Sequence, residues 1–198
     1  MASINTHLAI AKRYIEKHKG EITNIIAFLD GSIAPDDTTN KEQTHYGKRT
    51  EKHDLEKINR EKINLCKFLE HNTIEKDFDR GVFLHLYTDW EYYNNFLPAD
   101  YIKSTSISDF NEDNPYTSDY HHDYLMDKYS LSYEATSKNN QLLDLVAGWK
   151  KRNFERWETK GIKRKILFTR TKLDAFIERI SSVDLDLLAQ KTLNPAKQ

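Results

Sequence analysis

The chain has 198 residues, 31% of them charged, with a net charge of −1. That balance supplies no overall field for nucleic acid or an anionic membrane, and a single cysteine excludes an intramolecular disulfide framework. No segment reaches the roughly 18 consecutive apolar residues of a membrane-spanning helix.

Six glycines and four prolines, in a chain rich in Leu, Ile, Lys and Glu, favour helices over strands. The length suits one hydrophobic core. The expectation is a single all-α, multi-helix domain over residues 1–193 with a polar tail at 194–198. The N-terminal stretch carries Lys12, Arg13, Glu16 and Lys17, which breaks the apolar run a signal peptide needs. A soluble, cytoplasmic protein is expected, with no stable membrane insertion.

The spacing predicts a first helix from about Ser3 to Lys19, with Ile4, Leu8, Ala11 and Ile15 as its buried stripe, His7 beside it and Gly20 as its stop. Glu21 to Leu29 reads as a short apolar second helix. Gly31 and Pro35 make Asp30-Gly31-Ser32-Ile33-Ala34-Pro35-Asp36-Asp37 a loop, and polar Thr38 to Thr50, with His45, extends it. Glu51 to His71 shows the periodicity of an amphipathic surface helix, with Leu55, Ile58, Leu65 and Leu69 on one side.

From about Asp77 to Phe96 the residues Phe78, Val82, His85, Asp89, Tyr92 and Phe96 form one helical stripe, which Pro98 ends. Pro98 to Pro115 reads as a long polar connection. Helices are expected over Tyr116 to Tyr129, with His121 and His122, and over Ser137 to Thr159. Beyond Gly161, a last helix from about Ile166 to Gln190 turns Leu173, Phe176, Ile177 and Ile180 inward. Lys150-Lys151-Arg152 and Lys163-Arg164-Lys165 lie near Glu155, Glu158 and Asp174 and read as solvated faces. His53 and His71 read as exposed, and Cys66 as a small hydrophobe.

The pair His85/Asp89 stands out. Four residues apart on a helix, both side chains point into the apolar interior, where an ionised carboxylate requires compensation. A metal ion supplies it; a simple buried His–Asp hydrogen bond does so too. Elsewhere the chain offers His7, Asp30, Asp36, Asp37 and His45, the side-chain types that hold zinc. Tyr87, Trp90, Tyr92 and Tyr93 surround the pair in sequence, as pocket walls or as core packing. No phosphate-binding glycine loop and no Gly-x-Ser-x-Gly elbow is present.

Thr6-His7 on the first helix, Phe28-Leu29-Asp30-Gly31-Ser32-Ile33-Ala34-Pro35-Asp36, a loop His45 and Phe83-Leu84-His85-Leu86-Tyr87-Thr88-Asp89 occur in that order. Over its first hundred residues the chain thereby resembles the zinc-dependent phospholipase C family, and more closely an uncharacterised intracellular bacterial branch of it. The resemblance implies an all-helical fold whose helices and one loop converge on zinc ions that activate water for phosphoester hydrolysis.

Carried over by position, it implies His7, Asp36, His45, His85 and Asp89 as metal ligands, with Asp36 also the general base. Asp30 and Asp37 would be partners to those ligands or helix caps.

The secreted members use an N-terminal tryptophan as a ligand, where this chain begins Met1-Ala2-Ser3. They also use a later His-x-x-x-Glu pair, where this chain has His122-Asp123-Tyr124-Leu125-Met126. One to three zinc ions are therefore expected, two being the number the remaining ligands suit; Asp119, His121 or His122 is either a further donor or, for the two histidines, part of a solvated pair on a tyrosine-rich helix. The expected activity is a zinc-dependent phosphoesterase acting on a small phosphodiester or phosphomonoester. The rival expectation is a helical binding or regulatory module that keeps the scaffold without turnover.

Overall fold

The computed structural model describes residues 2–38, 40–47, 63–104, 121–122, 124–131 and 166–194. Of the described residues 72% are helical and none lies in a strand, so the chain is all-α there. The elements are α1 (Ile4–Lys17), α2 (Ile25–Ile33), a 3-10 turn (Ala34–Asp36), α3 (Lys41–His45), α4 (Leu65–His71), α5 (Asp77–Glu91) running into a π-helical turn (Tyr92–Phe96), α6 (Ala99–Ser104), α7 (Arg170–Ile180) and α8 (Leu185–Leu193). Residues 121–122 and 124–128 are also helical. Among the described residues no helix is long and apolar enough to cross a membrane.

Five of the helix starts have a local cause. The side chains of Ser3, Asn24, Asn64, Thr169 and Asp184 accept the N–H of Thr6, Ala27, Lys67, Lys172 and Leu187 respectively, satisfying amides that a helix leaves unpaired. Gly20, with φ +90°, ends the segment after α1 in a conformation that L side chains rarely adopt. The core is built from Leu8, Ile10 and Tyr14 of α1, Phe28 and Ile33 of α2, and Phe83, Leu84 and Leu86 of α5. Phe96 bridges it to α7, with its ring centroid 4.4 Å from that of Phe176.

The contact that positions everything else is α2 against α5. The two helices run parallel: Asp77 accepts the Asn24 N–H, and the Ser32 carbonyl accepts from His85, both pairs 53 residues apart. Glycine makes this approach possible. A Cβ on Gly31 would lie 2.0 Å from the Phe78 carbonyl oxygen, and one on Gly81 would lie 2.1 Å from the Phe28 carbonyl oxygen.

Several expectations are corrected here. The second helix starts at Ile25 and continues through Asp30 to Ile33, because Gly31 is a packing position against α5 and not a break. Pro35 sits in a 3-10 turn, and His45 ends a short helix instead of lying in a loop.

Ile63 pairs with Tyr46 in an isolated bridge and Asn64 caps α4, so that helix is described only over Leu65–His71. Ala99–Ser104 is helical, not a loop. The last predicted helix is two, broken at Ser181 and restarted by Asp184. Phe78 is exposed at the start of its stripe, because α5 begins beyond the core, and Ile15 is only half-buried while Tyr14 is buried in full. The expectations for residues 51–62, 105–120 and 132–165, with His53, Asp119 and both basic clusters, fall outside the described residues.

Candidate metal centre

Five side chains from four elements meet where α1, α2 and α5 converge. Asp89, one helical turn after His85, lies at the centre with no exposed surface. Its Oδ1 accepts the Ala2 backbone N–H at 2.7 Å and lies 3.3 Å from His7 Nε2. Its Oδ2 lies 3.4 Å from His45 Nε2 and 3.7 Å from His85 Nε2, without a hydrogen bond of its own. Asp36 Oδ1 closes the outer side, 3.9 Å from His45 Nε2.

The histidine protons follow from the backbone around them. His85 Nδ1 lies 2.8 Å from the Ser32 carbonyl, and His45 Nδ1 lies 3.0 Å from the Lys41 carbonyl. A carbonyl can only accept, so both rings carry a proton on Nδ1; His85, whose pKa burial pushes down to about 3, is therefore neutral and presents a lone pair at Nε2. The two Nε2 atoms stand 3.3 Å apart. His7 is buried with no hydrogen bond at either ring nitrogen, and its ring stacks on His85 at a centroid distance of 3.8 Å.

The electrostatics agree for His85. Burial pushes the His85 pKa down to about 3, with neighbouring His7 adding to the effect. Burial would raise Asp89, yet His45 and His7 hold it well below the usual carboxylate range. Burial opposes ionisation of Asp36 as well; with His85 neutral, the Lys41 ammonium is the charge that outweighs it.

Facing ring nitrogens, a buried imidazole without a hydrogen bond and two ionised carboxylates, of which only Asp36 has a lysine beside it, together make a set of donors that a cation would satisfy. Two groups, His7–His85–Asp89 and Asp36–His45–His85, have ligand atoms all within 4.8 Å of one another and can hold a metal ion. Nitrogen and carboxylate oxygen in this proportion suit zinc and its borderline neighbours.

No family model, no curated protein and no solved structure matches the chain. The functional reading therefore stands on this geometry and on the motif resemblance.

All five residues singled out in the sequence meet here, while the additional candidates do not join the two groups. Asp30 and Asp37 lie outside them. His121 stacks on Phe168 at 4.9 Å, and His122 Nδ1 pairs with the Asn5 amide at 2.5 Å. Of the aromatics, Tyr92 and Tyr93 are core residues; Trp90 stacks on Tyr87, which donates to Glu91. Two participants escaped the sequence reading. Ser32 acts through its backbone carbonyl, which has no sequence signature. Lys41 was legible only as the residue one turn before His45, once that stretch was known to be helical.

Proposed function

We propose that the chain is a zinc-dependent phosphoesterase whose site holds two ions. The observation that carries the metal is the 3.3 Å approach of two Nε2 atoms beside two carboxylates, fixed by carbonyls behind both rings. The number two is supported by the presence of two ligand groups and by Asp89, which offers Oδ1 towards His7 and Oδ2 towards His45 and His85. The hydrolytic reading is supported by the ordered motifs and by the chemistry of the donor set.

Bound there, divalent ions supply Lewis acidity and bring the pKa of a water towards neutrality. The residues do the remainder. His45 and His85 keep their protons at Nδ1, so Nε2 remains a fixed donor throughout. Asp36, at 13% side-chain exposure, is the more open of the two carboxylates, and its carboxylate accepts the proton of the attacking water. Its position beside Lys41 keeps it ionised for that task.

One observation favours a second reading, a structural ion in a helical binding module: the side chains of His7, His85 and Asp89 are at most 1% exposed, as in closed structural sites. Metal content and turnover of p-nitrophenyl phosphate and bis(p-nitrophenyl) phosphate separate the readings. The phosphoesterase predicts bound zinc and turnover that Asp36→Asn lowers about 10²–10⁴-fold. Zinc without turnover of either ester establishes the structural ion, and a protein that takes up no metal removes both.

A further inference from the structure

Lys41 is the cation on the open side of this cluster. Its Nζ lies 2.7 Å from Asp36 Oδ1, and exposure falls inward from it: 39% for the Lys41 side chain, 13% for Asp36, 3% for His45. Its backbone is fixed from within, because the Lys41 carbonyl receives the His45 Nδ1 proton. The position of the residue is thus set by the site, while its ammonium sits at the end of a flexible four-carbon stem.

We propose that Lys41 is the anion-recognition residue of this site and that it binds an oxygen of the substrate's phosphoryl group. The inference rests on the two-ion reading above. The two carboxylates balance one divalent cation, so a second leaves a positive excess. With Asp36 drawn towards an ion, one of the contacts that hold the ammonium would weaken. A phosphoryl oxyanion arriving from solvent meets the ammonium before the buried donors, and a charge-assisted hydrogen bond to it needs only rotation of the lysine stem. No backbone movement is required, because the carbonyl of Lys41 stays on His45.

The rival is a purely local role, in which Lys41 does no more than neutralise Asp36. The two roles differ in what they do to metal and to anion. Zinc affinity and inorganic phosphate binding to the zinc-loaded protein, both followed calorimetrically, provide the test. If Lys41 recognises the anion, Lys41→Met weakens phosphate about 10- to 100-fold, leaves zinc stoichiometry unchanged, and Lys41→Arg restores most of the phosphate affinity.

A variant that binds zinc equally or more tightly and phosphate unchanged overturns the anion role while leaving the two-ion reading intact. Wild-type protein that binds zinc but no phosphate also overturns it. Failure to bind zinc overturns the two-ion reading itself, and the role of Lys41 with it.

Discussion

The inner and outer halves of the cluster are held in different ways. His7, His85 and Asp89 stand on α1 and α5, helices of 14 and 15 residues whose apolar faces form the core. Asp36 and His45 stand on a 3-10 turn of 3 residues and a helix of 5, too short to be stable alone. The inner donors are therefore placed by packing, and the outer ones by ring-to-carbonyl hydrogen bonds and by the charge they enclose. A bound ion should stabilise the outer half far more than the inner half.

The largest effect comes from breaking the scaffold of the inner half. Gly81→Ala places a methyl 2.1 Å from a backbone carbonyl that has no rotamer with which to escape, and it should cost about 3 kcal/mol or more in urea unfolding. Gly20→Ala meets nothing within 4 Å and carries only the strain of φ +90°, about 1 kcal/mol. Equal costs for the two would contradict the close helix crossing.

Removing donors comes next. His85 offers its one free nitrogen, Nε2, to either ligand group, from the rigid α5, while His45 belongs to one group and stands on a short helix. His85→Ala should lower zinc affinity by more than about 100-fold and His45→Ala by less, in competition with a chelating dye. The reverse order would contradict the central place given to α5.

Acid distinguishes the halves more gently. In the metal-free protein His85 is folded with a pKa of about 3 against an ordinary 6.5, so the unfolded chain takes up that proton first. The associated stability is complete above about pH 6.5 and is lost as pH falls towards 3. Asp89, held below its ordinary value of 3.8, adds a loss of the same sign at the acid end. His85→Asn should flatten the fall in Tm between about pH 6.5 and 4; an unchanged profile would contradict the buried neutral imidazole.

The smallest effect is predicted for Ser32→Ala. Its hydroxyl bonds only the Leu29 carbonyl within its own helix, and its own carbonyl, which the substitution keeps, orients His85. Zinc affinity should be unchanged within about twofold.

The contrast between the halves also marks what the sequence could reveal. The inner half was legible because the 3.6-residue period of α5 survives in the pattern, and the spacing of His85 and Asp89 puts them on one face. In the outer half, Gly31 and Pro35 were read as loop punctuation. Gly31 is instead demanded by a carbonyl of α5 lying where its side chain would be, a tertiary fact with no local signal. The helical turn that lets Lys41 hold His45 was hidden for the same reason: five polar residues carry no apolar period.

The split of the last helix was signalled by Asp184, a capping residue that a continuous apolar pattern outweighed. Ser181 is fully buried at that break, and its hydroxyl turns to the Glu178 carbonyl.

The central claim is that His7, Asp36, His45, His85 and Asp89 form one metal centre. Anomalous scattering measured on either side of the zinc edge, from crystals of zinc-loaded protein, tests it most directly. Two peaks are expected among these side chains, with Asp89 contacting both and His85 Nε2 bonded to an ion. Crystals grown with excess zinc that show the same five side chains around no anomalous peak would contradict it.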